Sequence, residues 1–125
     1  MTDKDLEKCI ALCYDCSDIC EKTLFNHCLE KGGKHVEQTH VRLMADCIDM
    51  CRTAARAMTR GSDMHTAICA VCADICEACA RSCAALQTRD MQTCADACTA
   101  CAASCHTMGG GMKSHASELR ARRAG

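Results

Sequence analysis

Cysteine dominates the chemistry of this chain, since sixteen of its 125 residues are cysteine. Fourteen of them form seven pairs in which the second cysteine follows the first by four residues. The pairs are Cys9 and Cys13, Cys16 and Cys20, Cys47 and Cys51, Cys72 and Cys76, Cys79 and Cys83, Cys94 and Cys98, and Cys101 and Cys105. Residues four apart are neighbours on a helix, with Cβ atoms roughly 5–6 Å apart. Each pair therefore predicts two thiols on one helix face, placed to bind the same metal ion.

The pairs are joined into longer series whose steps alternate between three and four residues. One series runs from Cys9 to Cys20, a second from Cys69 to Cys83, and a third from Cys94 to Cys105. Apolar core positions recur with these steps in helix bundles. We therefore expect sulfur to occupy the positions where leucine normally packs.

The elements that must position these thiols follow from the breaks in the pattern. Proline is absent, and periodic segments lie at about 3–30, 35–60, 63–87 and 89–108, each long enough for several helical turns. Glycines at 32–33 and 61 separate the first three segments, and Thr88 precedes the fourth as a helix start signal. Short connections between them predict an all-α, antiparallel up-down-up-down four-helix bundle with a Cys-lined core. Residues 1–108 are expected to form one metal-binding domain, followed at 109–125 by a glycine-rich hinge and a short basic tail.

Histidine and methionine extend the predicted core beyond the thiols. The inward series of the second segment is Val36, His40, Met44, Cys47, Cys51, Ala54 and Met58. In an antiparallel bundle, one end then collects Cys28, His40, Met44 and Met91, and the other collects Met58, His65 and Met108, with His106 nearby. His40, His65 and Met44 join the sixteen cysteines as candidate metal ligands.

Thiolate, imidazole and thioether groups together select Cu(I), Zn(II) or iron–sulfur clusters. Metal-bound thiols lose their protons, and buried charge must be compensated. Zinc bound by four thiolates per ion would leave about eight negative charges in the core, whereas one Cu(I) per thiolate leaves none. Charge balance therefore predicts on the order of sixteen Cu(I) ions per chain, bound by thiolates that each bridge two metals.

Several alternatives remain open at this point. Partial protonation would allow a zinc or mixed-metal thiolate buffer, and a thiol redox sensor would need one or two exposed cysteines with lowered pKa values. Iron–sulfur ligation is disfavoured because the spacings differ from ferredoxin runs. A disulfide framework is disfavoured because parallel Cβ vectors on one helix suit a disulfide poorly.

Overall composition removes other classes of function. A net charge of −1 gives no general argument for binding nucleic acid or an anionic membrane, and no apolar run is long enough to span a bilayer. The N-terminus shows no secretory pattern, so we expect a cytoplasmic protein. Cys105 and His106 are adjacent and face different directions on a helix, and no other pattern of catalytic residues is present. We therefore expect a protein that is not an enzyme.

Repeated Cys-x3-Cys pairs on four helices, with His and Met near the helix ends, resemble the cytosolic copper storage proteins over roughly residues 3–108. The resemblance implies many Cu(I) ions in the core, copper uptake at a bundle end, a homotetramer, and partners that donate or accept copper. Cys28 and Cys69 lie outside the seven pairs. For Cys69 we expect a mixed site with His65, and for Cys28 a partner from another helix such as His40 or Met44. Separately, Ile68, Val71 and Ile75 lie beside the cysteine face and favour an oligomer.

Overall fold

The structure, a computed structural model, describes residues 3–110. Its long helices are α1 (Asp3–Thr23), α2 (Gln38–Thr59), α3 (His65–Ala84) and α4 (Arg89–Met108). Helices α1 and α3 each pack against both α2 and α4. Because short connections join consecutive helices, neighbours run antiparallel. The predicted four-helix bundle is confirmed, while the predicted basic tail lies outside the described residues.

The first predicted segment, residues 3–30, is not a regular α-helix along its whole length. After α1 the chain continues through a π-helical turn, Leu24–Cys28, and a short α-helical segment, Leu29–Lys31. The backbone N–H of Leu29 donates to the carbonyl of Leu24, five residues earlier. With 3.6 residues per turn, a regular α-helix would leave Cys28 about 80° away from the face that carries Cys20. The wider turn returns Cys28 to the core, where Leu24 is also buried.

The start of the second helix differs from its predicted position. Gly32 has φ 66°, a conformation that favours glycine, and a 3-10 turn over Gly33–Val36 precedes α2. Val36 therefore precedes α2 and is 36% exposed, so its predicted inward position is wrong. The rest of the predicted inward series, from His40 to Met58, is buried.

Near the start of each of the last two helices, a side-chain hydroxyl accepts a hydrogen bond from a backbone N–H. Ser62 Oγ accepts from the Met64 N–H, and α3 starts at His65. Thr88 Oγ1 accepts from the Met91 N–H at 3.2 Å and caps α4 at the predicted residue. Helix α3 is shorter at both ends than the predicted segment 63–87.

Sulfur fills the interior of the bundle. All sixteen cysteines have 0% exposure, whereas Leu24 and Ile48 are the buried members of the larger aliphatic residues in the described part of the chain. Four buried methionines, Met44, Met58, Met91 and Met108, lie towards the two ends of the bundle, and six small alanines are buried along α2, α3 and α4. The core is therefore built from small thiol side chains, as the spacing predicted.

Polar contacts close the seam between α1 and α2. Ser17 is fully buried, and its hydroxyl donates to the Ile48 carbonyl at 2.9 Å. Outside this bond, Arg52 of α2 pairs with Glu21 and with Asp18 of α1. No helix between residues 3 and 110 combines the length and apolar character that a bilayer crossing requires.

Candidate metal centre

The paired cysteines bring their sulfur atoms together on each helix. The two Sγ atoms lie 4.0 Å apart in the pair Cys16 and Cys20. They lie 3.9 Å apart in the pairs that begin at Cys47, Cys72, Cys79 and Cys101. The helical spacing predicted from the sequence thus places these thiols within reach of a shared metal ion.

Contacts between helices are at least as close. Helix α1 meets α4 through Cys20 and Cys94 at 3.3 Å and through Cys13 and Cys105 at 3.4 Å. Other Sγ contacts join α2 to α3, α1 to α2 and α3 to α4. They are Cys51 to Cys76 at 3.5 Å, Cys16 to Cys47 at 3.8 Å, and Cys83 to Cys94 at 3.7 Å. We call the fifteen cysteines other than Cys28 the thiol column.

Within the thiol column, three groups of four Sγ atoms each lie within 4.8 Å of one another. The groups are Cys13, Cys72, Cys101 and Cys105; Cys16, Cys51, Cys76 and Cys101; and Cys16, Cys20, Cys47 and Cys98. Cys101 belongs to the first two groups and Cys16 to the last two. The groups are therefore fused through shared sulfurs, and the column is continuous along the bundle.

Hydrogen bonds between thiols lower the pKa of some cysteines in the thiol column and raise the pKa of others. A hydrogen bond with Cys20 lowers the pKa of Cys79, and one with Cys105 lowers the pKa of Cys101. A hydrogen bond with Cys16 raises the pKa of Cys20, as burial also does. A thiolate in the column is thus stabilised by the thiols around it.

Cys69 extends the thiol column towards the end that carries the C-terminus of α4. Hydrogen bonding with Cys105 lowers the pKa of Cys69, while hydrogen bonding with Cys9 and burial outweigh it and raise the pKa to about 12. The described contacts of the Cys69 thiol are therefore with other thiols, and the expected pairing with His65 stays a prediction.

Cys28 lies apart from the thiol column, in a cluster of different ligands. Its Sγ is 3.7 Å from His40 Nε2, 3.9 Å from Met44 Sδ and 3.6 Å from Met91 Sδ. The structure thus brings together the four side chains that the sequence assigned to one end. We call Cys28, His40, Met44 and Met91 the mixed cluster.

His40 is held with one ring nitrogen towards the mixed cluster. Its Nδ1 lies 2.7 Å from Ser82 Oγ of α3, and burial lowers the pKa of the ring. We assign the Nδ1–H as donor to Ser82 Oγ, which leaves the Nε2 lone pair facing Cys28. Sequence reasoning missed Ser82, because its only mark in the sequence is its position before Cys83.

The other end of the bundle holds a less complete set of groups. His65 Nδ1 lies 2.9 Å from the Ser62 carbonyl, and its buried Nε2 has no hydrogen-bond partner among the described residues. His65 and Met58 line a cavity of about 340 Å³. Met108 lines a different cavity between α1 and α4, and His106 is exposed. The structure therefore groups His65 with Met58 but not with Met108.

Two further histidines lie at the rim beside the mixed cluster. His27 Nδ1 is 2.8 Å from Asp90 Oδ2, and His27 Nε2 is 3.0 Å from Thr88 Oγ1. The ring of His35 contacts that of His27 edge to face, with centroids 5.2 Å apart. Burial is the largest cause that lowers the pKa of His35. Both rings contact other protein groups at this end.

Sequence comparison relates the chain to copper-binding proteins. The profile of the copper storage protein family matches residues 2–110. A second similarity is to the uncharacterized cysteine-rich protein YhjQ of Bacillus subtilis (strain 168). The two are 41% identical over 77 residues, which cover 62% of this chain and 70% of the relative.

Solved structures agree with this relationship. The Nmul_A1745 protein from Nitrosospira multiformis is 43% identical, with a TM-score of 0.83 over 89% of this chain and 100% of that one. The Cu(I)-bound copper storage protein BsCsp3 is 39% identical, with a TM-score of 0.78 over 84% of this chain and 98% of that one. The apo form of copper storage protein 3 from Bacillus subtilis is 41% identical, with a TM-score of 0.74 over 82% and 97% of the two chains. Together with the continuous thiol column, these matches show that the chain belongs to the copper storage protein family.

Proposed function

We propose that the protein stores and buffers Cu(I) in the bundle core, at a capacity on the order of one ion per cysteine. The observation that carries this proposal is the fusion of the three thiol groups through Cys16 and Cys101. A sulfur that belongs to two groups can, as a thiolate, bridge a metal ion in one group and a metal ion in the other. The similar protein BsCsp3, in its Cu(I)-bound form, supports the same cargo.

Burial strengthens the argument from charge. Every cysteine has 0% exposure, so thiolate charge in this core is screened little by water. One Cu(I) per bridging thiolate leaves the core neutral, whereas fewer ions leave charge uncompensated or protons in place. Loading with Cu(I) therefore removes the protons of the column without accumulating buried charge.

The mixed cluster adds neutral ligands to this store. We propose that Cys28, His40 and Met44 bind one copper ion, with Met91 as a further thioether ligand. The contacts of 3.6–3.9 Å between the Cys28 sulfur and these groups support the assignment. At the other end we propose His65 as a ligand, because its buried Nε2 has no hydrogen-bond partner in the described chain.

Zinc is a second candidate cargo because the thiol groups match its dimensions. A tetrahedron with Zn–S bonds of about 2.3 Å has edges of about 3.8 Å. Each group of four offers four thiolate ligands to one zinc ion. Three separate zinc sites would need twelve thiolates, but the three groups contain ten different cysteines because Cys16 and Cys101 are shared. Dedicated four-thiolate zinc sites therefore cannot occupy all three groups at once.

Anaerobic titration with Cu(I) against a chelating competitor tests the copper proposal. We expect saturation near sixteen ions per chain, with further ions only if the histidine and methionine ligands hold them. Saturation at one or two ions would contradict storage. Elemental analysis of protein purified without added metal separates the cargoes, because abundant zinc that Cu(I) fails to displace would favour the zinc buffer.

We also propose that the protein acts by binding rather than catalysis, as a cytoplasmic homotetramer that exchanges copper with donor or acceptor proteins. The half-buried residues Ile68, Val71 and Ile75 support assembly, since their remaining apolar surface suits a subunit contact. A redox-sensor role fits less well, because the thiols are buried. Light scattering during size-exclusion chromatography tests the tetramer, and a monomeric mass would contradict it.

The domain assignment is a proposal as well. Residues 1–108 are taken to form the metal-binding domain, and 109–125 a hinge and basic tail. A chain ending at Met108 should then bind as many copper ions as the full chain in the same titration. A lower capacity would place part of the metal-binding function in the tail.

A further inference from the structure

The π-helical turn decides which of two adjacent residues faces the core. In an unbroken α-helix, His27 would lie about 20° from the face of Cys20, and Cys28 about 80° from it. The structure has the opposite arrangement. Cys28 is fully buried in the mixed cluster, while the side chain of His27 is 14% exposed at the rim.

Both ring nitrogens of His27 contact residues at the N-terminus of α4, the capping Thr88 and Asp90 in the first turn. In the neutral ring, Nδ1–H donates to the Asp90 carboxylate, and Nε2 accepts from the Thr88 hydroxyl. The Thr88 oxygen in turn accepts from the Met91 N–H at the start of α4. Donors and acceptors are therefore matched at each of these contacts.

These contacts form a closed path that includes the mixed cluster. From His27 the path runs through Thr88 to Met91, whose Sδ lies 3.6 Å from the Cys28 sulfur. Cys28 is the next residue after His27, so the path returns to its start. The edge-to-face contact with His35 further limits rotation of the His27 ring.

We propose that His27 is a positioning residue that fixes the register of the π-helical turn and thereby holds the Cys28 thiol in the mixed cluster. His27 binds no metal in this role. It acts by tying Leu24–Cys28 to the N-terminus of α4, which keeps His27 at the rim and Cys28 inside. The copper consequence rests on the proposed function, whereas the placement of the thiol does not.

The experiment measures the rate at which an alkylating reagent modifies each cysteine of the full-length, metal-free protein under reducing conditions. In His27→Ala we expect roughly tenfold faster modification of Cys28, since two hydrogen bonds that hold the turn are lost. The other fifteen thiols should react at the wild-type rate. The matched control is His106→Ala, which removes an exposed imidazole from α4 and should leave every rate unchanged.

Two further variants keep the test independent of one substitution. Asp90→Ala removes one of the two bonds and should give a smaller, Cys28-specific acceleration, while Thr88→Ser keeps the hydroxyl and should match wild type. An unchanged Cys28 rate in both His27→Ala and Asp90→Ala would overturn the proposal. A similar acceleration at all sixteen thiols would also overturn it, because that result indicates general loss of structure.

Copper titration then separates this proposal from the proposed function. If both hold, Cys28→Ala loses about one Cu(I) per chain, whereas His27→Ala keeps the count but holds that ion about tenfold more weakly against the chelating competitor. The double variant then loses no more ions than Cys28→Ala alone. If Cys28→Ala keeps the full copper count, Cys28 is not a ligand and that part of the proposed function fails. The alkylation result on the metal-free protein still decides the role of His27.

Discussion

Among single residues, Ser17 shows how a polar group is accommodated within a thiol core. Its hydroxyl is fully buried and donates to the Ile48 carbonyl of the neighbouring helix at 2.9 Å. Removing one partner of a buried hydrogen bond leaves the other unsatisfied. The small side chain also allows α1 and α2 to approach closely, so its role combines size with hydrogen bonding.

Replacing Ser17 by alanine should therefore destabilise the metal-free bundle by about 1 kcal/mol. Urea unfolding under reducing conditions measures this change. The control is Thr53→Ala, which removes a hydroxyl bonded to the Asp49 carbonyl on the exposed surface of α2 and should change the free energy of unfolding by less than about 0.5 kcal/mol. Equal effects of the two substitutions would contradict a special role for Ser17.

The Cys28 thiol predicts a dependence of stability on pH. Burial raises its pKa from 9.0 to about 11. A group with a raised pKa in the folded state stabilises that state below its unfolded pKa, and this contribution is lost as pH rises through the folded value. The contribution of Cys28 is therefore complete below about pH 9 and declines towards pH 11.

Between about pH 9 and pH 11, we expect the free energy of unfolding of wild type to fall relative to that of Cys28→Ala. Parallel urea titrations of the two metal-free proteins between pH 8 and pH 11 measure it, and the common titration of the other thiols largely cancels in the difference. If the difference between the two free energies of unfolding stays constant with pH, the Cys28 thiol ionises as readily in the folded protein as in the unfolded chain.

At the scale of elements, the π-helical turn Leu24–Cys28 behaves as one extra residue in α1. Without it, Cys20 and Cys28 would be seven residues apart, within about 20° of the same face of a regular α-helix. Deleting the exposed Asn26 should therefore convert the turn to α-helix and keep Cys28 in the mixed cluster.

We expect this shortened chain to retain the wild-type copper count and helical circular dichroism. Deletion of Glu77, which is also exposed on a helix, is the matched control. It rotates Cys79 and Cys83 away from the core by about 100° and should reduce copper binding. Equal losses in the two deletions would be evidence against the extra-residue interpretation.

The π-helical turn also shows where sequence reasoning ends. The four helices and their cysteine faces were predictable because repeated steps of three and four residues fix a helical face. An extra residue breaks that period once, and its only trace is the run of two four-residue steps from Cys20 through Leu24 to Cys28. The Ser82 contact with His40 was not predictable, because it depends on the rotation of α3 relative to α2.

For the whole molecule, metal loading should change stability more than any single substitution. A cargo that binds the folded chain alone stabilises it by mass action, by about 4 kcal/mol for one site at a thousandfold excess over its dissociation constant. Many sites act together in this core. The loaded protein should therefore melt well above the metal-free protein in anaerobic calorimetry, and a chelator should reverse the shift. Identical melting temperatures would contradict binding in the core.

The contacts between helices have a kinetic consequence for the loaded chain. Cys13 and Cys105 meet at 3.4 Å although 92 positions separate them, and Cys16 meets Cys47 across 31. A metal ion shared by such a pair closes a long loop of the backbone, as a cross-link does. Unfolding then requires many sulfur–metal bonds to break in succession. The lifetime of the loaded protein against proteases is thus set by ligand exchange, and the cell can dispose of the container readily only after it has been emptied.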